Sequence, residues 1–299
     1  MDAILGKLEA LLGPIEGEPE ALKDGITNRN YRVRFGGADH VVRMCGAETE
    51  LLGIDREAEQ AAASAAFAAG VGPEVTAFLL GDKCLVTAFV EGRGLEPADV
   101  REDIPRIAHA LHTVHGAAHV HATFSPFRIG ERYRELTLER GGELPEASAD
   151  AAAAARQIEA ALPPYKPALC HNDLLPANFI LDDGGPEGAE GGGSRLWIID
   201  WEYAAMGDAY FDLGNLSAMN GFDIAEDTEL VTAYLGHCDE PDLARVRLMR
   251  AASDYREGMW GVVQQVLSDL DFDFAGYADE YLSRMLESDW KEWLDGAAA

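Results

Sequence analysis

Hydrophobic positions in the first ninety residues fall into short runs broken by glycine and charged turns, and the spacing changes after them. Residues 30–35 (NYRVRF) and 40–44 (HVVRM) cluster β-branched residues on either side of GGAD, which predicts a hairpin. Residues 55–69 (DREAEQAAASAAFAA) are strong helix formers that stop at Gly70. Two more strands are predicted at 74–80 (EVTAFLL) and 84–90 (CLVTAFV), around GDK. The pattern breaks at EGRGLEPAD, which places a boundary at about Gly92 between an N-terminal lobe of residues 1–91 and a C-terminal lobe of residues 92–299. Beyond it, Ile104, Ile107, Ala108, Leu111 and Val114 keep the 3–4 spacing of an amphipathic helix. Residues 146–162 read as a second alanine-rich helix, and 241–299 return to helices. A strand pair at 178–181 (NFIL) and 196–200 (LWIID) flanks the glycine-rich, acidic stretch DDGGPEGAEGGGSR, read as a hairpin tip without chemistry. The expected class is α+β: a small antiparallel sheet with one helix, then a larger, mainly helical part.

Charge narrows the partners. The 299 residues carry 53 acids against 24 Lys and Arg, a formal net charge of −29. Nucleic acid needs clustered cations to replace its counterions, so a polyanion binder is excluded, and an anionic membrane surface is disfavoured. The bulk acidity reads first as solubility or adaptation to salt. The four cysteines, at 45, 84, 170 and 238, form no CxxC pair, and with no zinc spacing they indicate a reducing, cytoplasmic setting. MDAILGKLEALLGP reads as a short helix rather than a signal peptide, and the longest uncharged run, 60–73, is too short to span a bilayer.

The chemistry concentrates in residues 170–203. HNDLLPAN (171–178) precedes a strand, and IIDWEY (198–203) follows one. Pairing of the two strands brings Asp173, Asn178 and Asp200 close together, a set of hard oxygen donors that suits Mg²⁺ with a substrate phosphate. H-x-D-x-x-x-x-N followed by a strand-ending aspartate matches the kinase template: the loop aspartate orients the hydroxyl or takes its proton, and the asparagine and later aspartate hold the metal.

On these residues the chain resembles the choline/ethanolamine kinase branch of the aminoglycoside-phosphotransferase-like kinases. HNDLLPAN is similar to the catalytic motif of that superfamily, and IIDWEYA to the Asp-aromatic-Glu-Tyr metal motif of the choline kinase branch. The resemblance implies a bilobal protein-kinase-like fold with ATP as co-substrate, Mg²⁺ as cofactor, and Asn178 and Asp200 as its ligands. Gly25 to Tyr31 (GITNRNY) resembles the branch's nucleotide loop, which makes Thr27, Asn28 and Asn30 nucleotide contacts. Arg43 stands where protein kinases carry the phosphate-pairing lysine, and a guanidinium can replace it. Its acidic partner is expected to be Glu59, thirteen residues before Gly72-Pro73, with Glu57 the competitor. Leu85 to Glu91, including Thr87 and Phe89, resembles the segment whose backbone holds adenine. His171 and Asp212 are expected to brace the catalytic loop.

The acceptor site follows from the same resemblance. A quaternary ammonium has no N–H to donate, so aromatic faces and carboxylates must hold it. Trp260, Phe272 and Tyr277 resemble the choline kinase aromatic box, with Tyr203 as a further wall and Asp173 at the hydroxyl. One position departs: the family commonly has a second tryptophan where this chain has Glu257, which makes a smaller amine such as ethanolamine more plausible. Five histidines lie at 109, 112, 115, 119 and 121, without an acid or cysteine to complete a metal site. The implied reaction is phosphoryl transfer to a small cationic alcohol, choline or ethanolamine. The same-fold rival is an aminoglycoside, sugar or nucleoside kinase; the rival of another class is a nucleotide-binding pseudokinase.

Overall fold

The computed structural model describes residues 1–22, 28–46, 48–182 and 194–298. In chain order the elements are α1 (Asp2–Leu12), β1 (Ile15–Ala21), β2 (Asn28–Phe35), β3 (Ala38–Cys45), α2 (Arg56–Ala68), β4 (Val75–Leu79), β5 (Cys84–Ala88) and β6 (Gly92–Gly94). They continue with α3 (Pro97–Glu102), α4 (Ile104–His115), α5 (Pro126–Glu139), α6 (Ala147–Ala161), β7 (Ala168–Cys170), β8 (Phe179–Asp182), β9 (Leu196–Ile198) and β10 (Ala205–Gly207). The chain closes with α7 (Ala209–Asn220), α8 (Ile224–Leu235), α9 (Glu240–Leu267), α10 (Phe274–Glu287) and α11 (Trp290–Trp293). The protein is therefore α+β, with its larger sheet near the N-terminus and helices dominating thereafter.

Two compact units form: Met1–Gly94 with Ala177–Tyr203, and Leu95–Pro176 with Ala204–Ala299. The sequence reading places one boundary at about Gly92; the chain instead returns to the first unit for β8 and β9. The physical reason is pairing: β6 bonds to β8, and β8 to β9, in one three-stranded sheet. Three residues of β6, two of them glycine, carry no pattern that would announce this.

In the first unit, five antiparallel strands run in the order β1-β2-β3-β5-β4. The β2–β3 hairpin closes with Phe35 opposite Ala38, and Gly36 and Gly37 between them have φ of 54° and 87°. Two positive-φ positions make the turn that matches strand twist, and glycine adopts them without strain. Val33, Phe35, Val42, Cys84 and Val86 form the sheet's core, sealed by Leu8 with Ile4, Leu5 and Leu12 of α1. Helix α2 starts where Asp55 accepts from the N–H of Glu57 (3.0 Å) and Ala58 (2.9 Å). Strand β1 (IEGEPEA) is not foreseen in the sequence. It is an edge strand with a register irregularity between Glu16 and Glu20, so its proline and mostly exposed acids are tolerated.

The second unit is organised on α9, a 28-residue helix against which α5, α7 and α10 pack. A Cβ on Gly214 of α7 would meet the Arg250 nitrogen at 2.6 Å, so this glycine permits the close α7–α9 crossing. Helices α7, α8, α9 and α10 are each capped by an aspartate side chain: Asp208, Asp223, Asp239 and Asp273. Part of the acidity is thus structural. No described helix is long and apolar enough to cross a membrane. All four cysteines are free thiols.

Candidate active site

Both units carry groups of chemically capable side chains. In the first, Arg43 on β3 pairs with Glu59 Oε1 on α2 and with Asp200 Oδ1, both at 2.7 Å. Glu57 lies on the exposed side of α2, so Glu59 is the acid that meets Arg43. Arg56, the first residue of α2, contacts Glu59 Oε2 at 2.7 Å and Glu202 Oε2 at 3.3 Å, and donates to Thr49 Oγ1 at 2.9 Å. Asn28, at the start of β2, donates to Glu202 Oε2 at 2.8 Å. The cluster therefore joins three carboxylates to two guanidiniums, one negative charge in excess.

Asp200 ends the β9 segment with φ of 65°, a left-handed position that aspartate tolerates better than most residues. The Ile199 N–H donates to the Asn178 carbonyl at 2.9 Å, which sets the two candidate metal ligands on adjoining chain ends. Burial pushes the Asp200 carboxyl up to about 6; Arg43 opposes the rise, and Glu202 and Glu59 reinforce it. Arg43 loses solvation on burial, yet the carboxylates around it, Asp200 foremost, raise its affinity for its proton. The Asp200–Arg43 contact is an ion pair without hydrogen-bond alignment at Oδ1. A carboxylate with one unaligned oxygen, on a chain end that adjoins Asn178 and within a net-negative cluster, fits a hard divalent cation with oxygen ligands.

In the second unit, the catalytic-type loop hangs from one aspartate. Asp212 on α7 is fully buried and accepts from the N–H of His171 (2.7 Å) and of Asn172 (2.8 Å), with His115 Nε2 at 3.0 Å. His171 is buried in turn, and its Nδ1 accepts from the Asp173 N–H at 3.2 Å. Asn215, one turn beyond Asp212, accepts from the Leu174 N–H and donates to Ser253 of α9 at 2.9 Å. The loop from 171 to 174 is thus fixed through its backbone N–H groups, and the Asp173 carboxylate meets Arg256 of α9. Among the described residues, the candidate metal cluster that includes one of the run of histidines joins His115 to Cys170 and Asp212. Its carboxylate already serves three donors, which makes it a brace. Asp212→Asn removes an acceptor facing two buried N–H groups and is expected to cost about 3 kcal/mol of stability, read as a lowered urea midpoint.

Further along, Trp260 of α9 meets Phe274 and Tyr277 edge-on, with ring centroids 5.8 and 5.6 Å apart. Phe272, 45% exposed, lies 4.9 Å from Phe274 and 6.0 Å from Tyr277. Glu257, one turn before Trp260, accepts from the Tyr277 hydroxyl at 2.8 Å and pairs with Arg256. Arg256 Nη1 also reaches Asp173 Oδ1 at 3.4 Å. Burial, then Glu257, pushes the Tyr277 phenol far up, so Tyr277 stays a donor.

Set against the sequence reading, the structure brings Asn28, Arg43, Glu59 and Asp200 into one cluster, and Asp173, Glu257, Trp260, Phe272 and Tyr277 into the second unit. Tyr203 is buried in a short helical turn of the first unit. Asn30 lies on β2 opposite Arg43. Thr27 lies outside the described residues, as does the tip of the predicted 178–200 hairpin. In the adenine-type segment, Thr87 is half-buried on β5, while the N–H of Ala88 donates to Glu74 and that of Phe89 to Asp39. Arg32 stacks 4.0 Å over the Phe89 ring. The Phe89 N–H is therefore spent within the sheet, and a nucleobase would find its backbone donor elsewhere. The sequence reading missed Arg56, Arg256 and Phe274, and gave Glu202 no role beyond its place in the metal motif. An arginine at the first residue of a helix opposes the helix dipole, which is a readable sign of pairing. For Arg256 the sequence carries no such sign; only the structure shows a charge within a helix whose residues 251–264 are all buried.

The family model described as phosphotransferase enzyme family matches residues 18–249. Ethanolamine kinase 2 of Mus musculus is 29% identical over 301 residues, covering 89% of this chain and 74% of the mouse protein. The crystal structure of a choline/ethanolamine kinase family protein from Mesorhizobium loti superposes with a TM-score of 0.79 at 28% identity, over 99% of each chain. The choline kinase LicA from Streptococcus pneumoniae shares the fold, with a TM-score of 0.78 at 24% identity over 98% of each chain. These neighbours have the protein-kinase-like fold.

Proposed function

We propose that this chain, which belongs to the phosphotransferase enzyme family, transfers the γ-phosphoryl group of Mg·ATP to the hydroxyl of a small amino alcohol of the choline or ethanolamine type. The observation that carries the acceptor class is the second unit's group of Trp260, Tyr277, Phe272 and Phe274, tied through the Tyr277 hydroxyl to the Glu257 carboxylate, with Asp173 joined to it through Arg256. Aromatic faces and carboxylates are what a compact ammonium requires. The similarity to ethanolamine kinase 2 and to the Mesorhizobium loti protein supports the same class.

The roles follow from the chemistry of each side chain. Asn178 and Asp200 would hold Mg²⁺, which would supply charge neutralisation at the phosphoryl oxygens. Arg43, held by Glu59, binds a phosphate oxygen through a donor that never loses its charge. Asp173 accepts a hydrogen bond from the acceptor hydroxyl, points its lone pair at phosphorus, and takes the proton late. No covalent enzyme intermediate is required; positioning and charge neutralisation supply the rate.

The test is ADP release from Mg·ATP by purified protein across ethanolamine, its N-methylated series, choline, an aminoglycoside and a sugar. Turnover with the amino alcohols supports the reading. Silence on them with turnover on a sugar or aminoglycoside ends it and leaves the phosphotransferase standing. Trp260→Ala sharpens the site: the KM for the amine is expected to rise about tenfold, the loss of one cation–π wall, while that for ATP stays put. An equal rise in both would make Trp260 a packing residue.

A further inference from the structure

The buried guanidinium of Arg256 enters the reading above only as a link between two carboxylates, and its position gives it a larger part. It is 2% exposed on α9, donates from Nη1 to Asp173 Oδ1 at 3.4 Å, and pairs with Glu257 through the same nitrogen. The other Glu257 oxygen, Oε2, is engaged by the Tyr277 hydroxyl at 2.8 Å. One side chain thereby ties the carboxylate proposed to receive the hydroxyl proton to the carboxylate at the aromatic group. The next charged pair on these helices, Asp254 with Arg284, is neutral as a pair.

We propose that Arg256 is a positioning and charge-setting residue of the acceptor site: it holds Asp173 and Glu257 in one register and leaves the pair with a single net negative charge, so that the site takes a monocationic amino alcohol and rejects a dicationic one. The proposal rests on the amino-alcohol reading of the site. Two carboxylates alone would present a charge of −2 and would suit a diamine. The guanidinium, 2% exposed, cancels one of them from within the helix packing. Its reach matters separately from its charge, since Nη1 at the tip of the side chain meets both acids, and a lysine ammonium ends a shorter stem. The first role sets which cation enters, and the second sets how often Asp173 faces the hydroxyl.

The experiment compares kcat/KM for ethanolamine and for 1,3-diamino-2-propanol in the wild type, Arg256→Gln and Arg256→Lys. The wild type is expected to favour the monocation. Arg256→Gln is expected to raise the diamine-to-ethanolamine ratio by at least about tenfold, the size of one unscreened charge close to the substrate. Arg256→Lys keeps the charge and is expected to hold the wild-type ratio, with kcat lowered about tenfold because Asp173 is no longer held. A merely structural arginine would lower both substrates alike, so an unchanged ratio in Arg256→Gln overturns charge-setting. If that variant fails to fold, Arg256→Lys still decides: wild-type kcat there overturns positioning, and a wild-type enzyme that takes the diamine as readily overturns charge-setting. Silence on both amines in the wild type, with turnover on another hydroxyl compound, overturns this proposal and the amino-alcohol reading together. Turnover of both amines with unchanged ratios overturns this proposal alone.

Discussion

Asp173→Asn is expected to lower kcat by about 10³-fold, within the range for removing a positioned proton acceptor, while the thermal midpoint moves little. The second half of that statement is what makes the first informative. The loop is held by groups other than the Asp173 carboxylate: Asp212 binds the N–H of His171 and Asn172, His171 binds the N–H of Asp173, and Asn215 binds that of Leu174. The carboxylate itself is 15% exposed and makes a 3.4 Å contact with Arg256. Asparagine keeps the size and one acceptor oxygen, so the loop stays in place. What it loses is a group able to receive the hydroxyl proton. Asp212→Asn gives the opposite pattern, because there the fold is damaged and activity follows it down. Steady-state turnover and a melting curve on each variant check the pair. Near-normal turnover in a folded Asp173→Asn protein would remove Asp173 from the chemistry.

Much of this was legible in the sequence because it rests on local rules. The β2–β3 hairpin follows from two glycines between β-branched runs, and α2 from an alanine-rich segment behind an aspartate. The choice of Glu59 over Glu57 needed the family spacing, and the structure explains it by burial: Glu59 is 1% exposed, between Arg43 and Arg56. What the sequence hides is pairing between distant segments. β1 reads as an acidic coil because edge strands need little hydrophobic pattern. β6 reads as a linker because three residues carry no period. Arg56–Glu202 and Arg256–Asp173 are separated by 146 and 83 positions, and no spacing rule connects them. Arginine beside an acid on a helix is common at surfaces; only the burial of α9 from 251 to 264 turns Arg256 into a component of the site.

Asp200→Asn is expected to abolish turnover and to stabilise the metal-free protein. Three carboxylates, Glu59, Asp200 and Glu202, meet two guanidiniums, Arg43 and Arg56, so the folded cluster carries a surplus negative charge. The Asp200 carboxyl bears the consequence: its usual value of 3.8 is raised to about 6, first by burial, against the pull of Arg43. The sign then follows from linkage. Between about 4 and 6 the folded state binds more protons at this group than the unfolded state does, so stability falls as pH rises through that window. Above about 6 the penalty is fully present, on the order of 1 kcal/mol after allowance for solvent at a side chain 26% exposed. Asparagine tolerates the left-handed backbone at this position, balances the cluster, and leaves Arg43 paired with Glu59. Its gain in thermal midpoint should therefore be clear at pH 7 and vanish near pH 4, with chelator present throughout. A gain that persists unchanged at pH 4 would assign the stabilisation to something other than charge. Loss of stability at pH 7 would mean that Arg43 depends on Asp200 more than on Glu59. The penalty would have a use if this cluster holds the proposed metal, because a divalent cation would offset the surplus and convert a destabilising charge into binding energy. Added Mg²⁺ should accordingly raise the midpoint of the wild type and leave Asp200→Asn where it is.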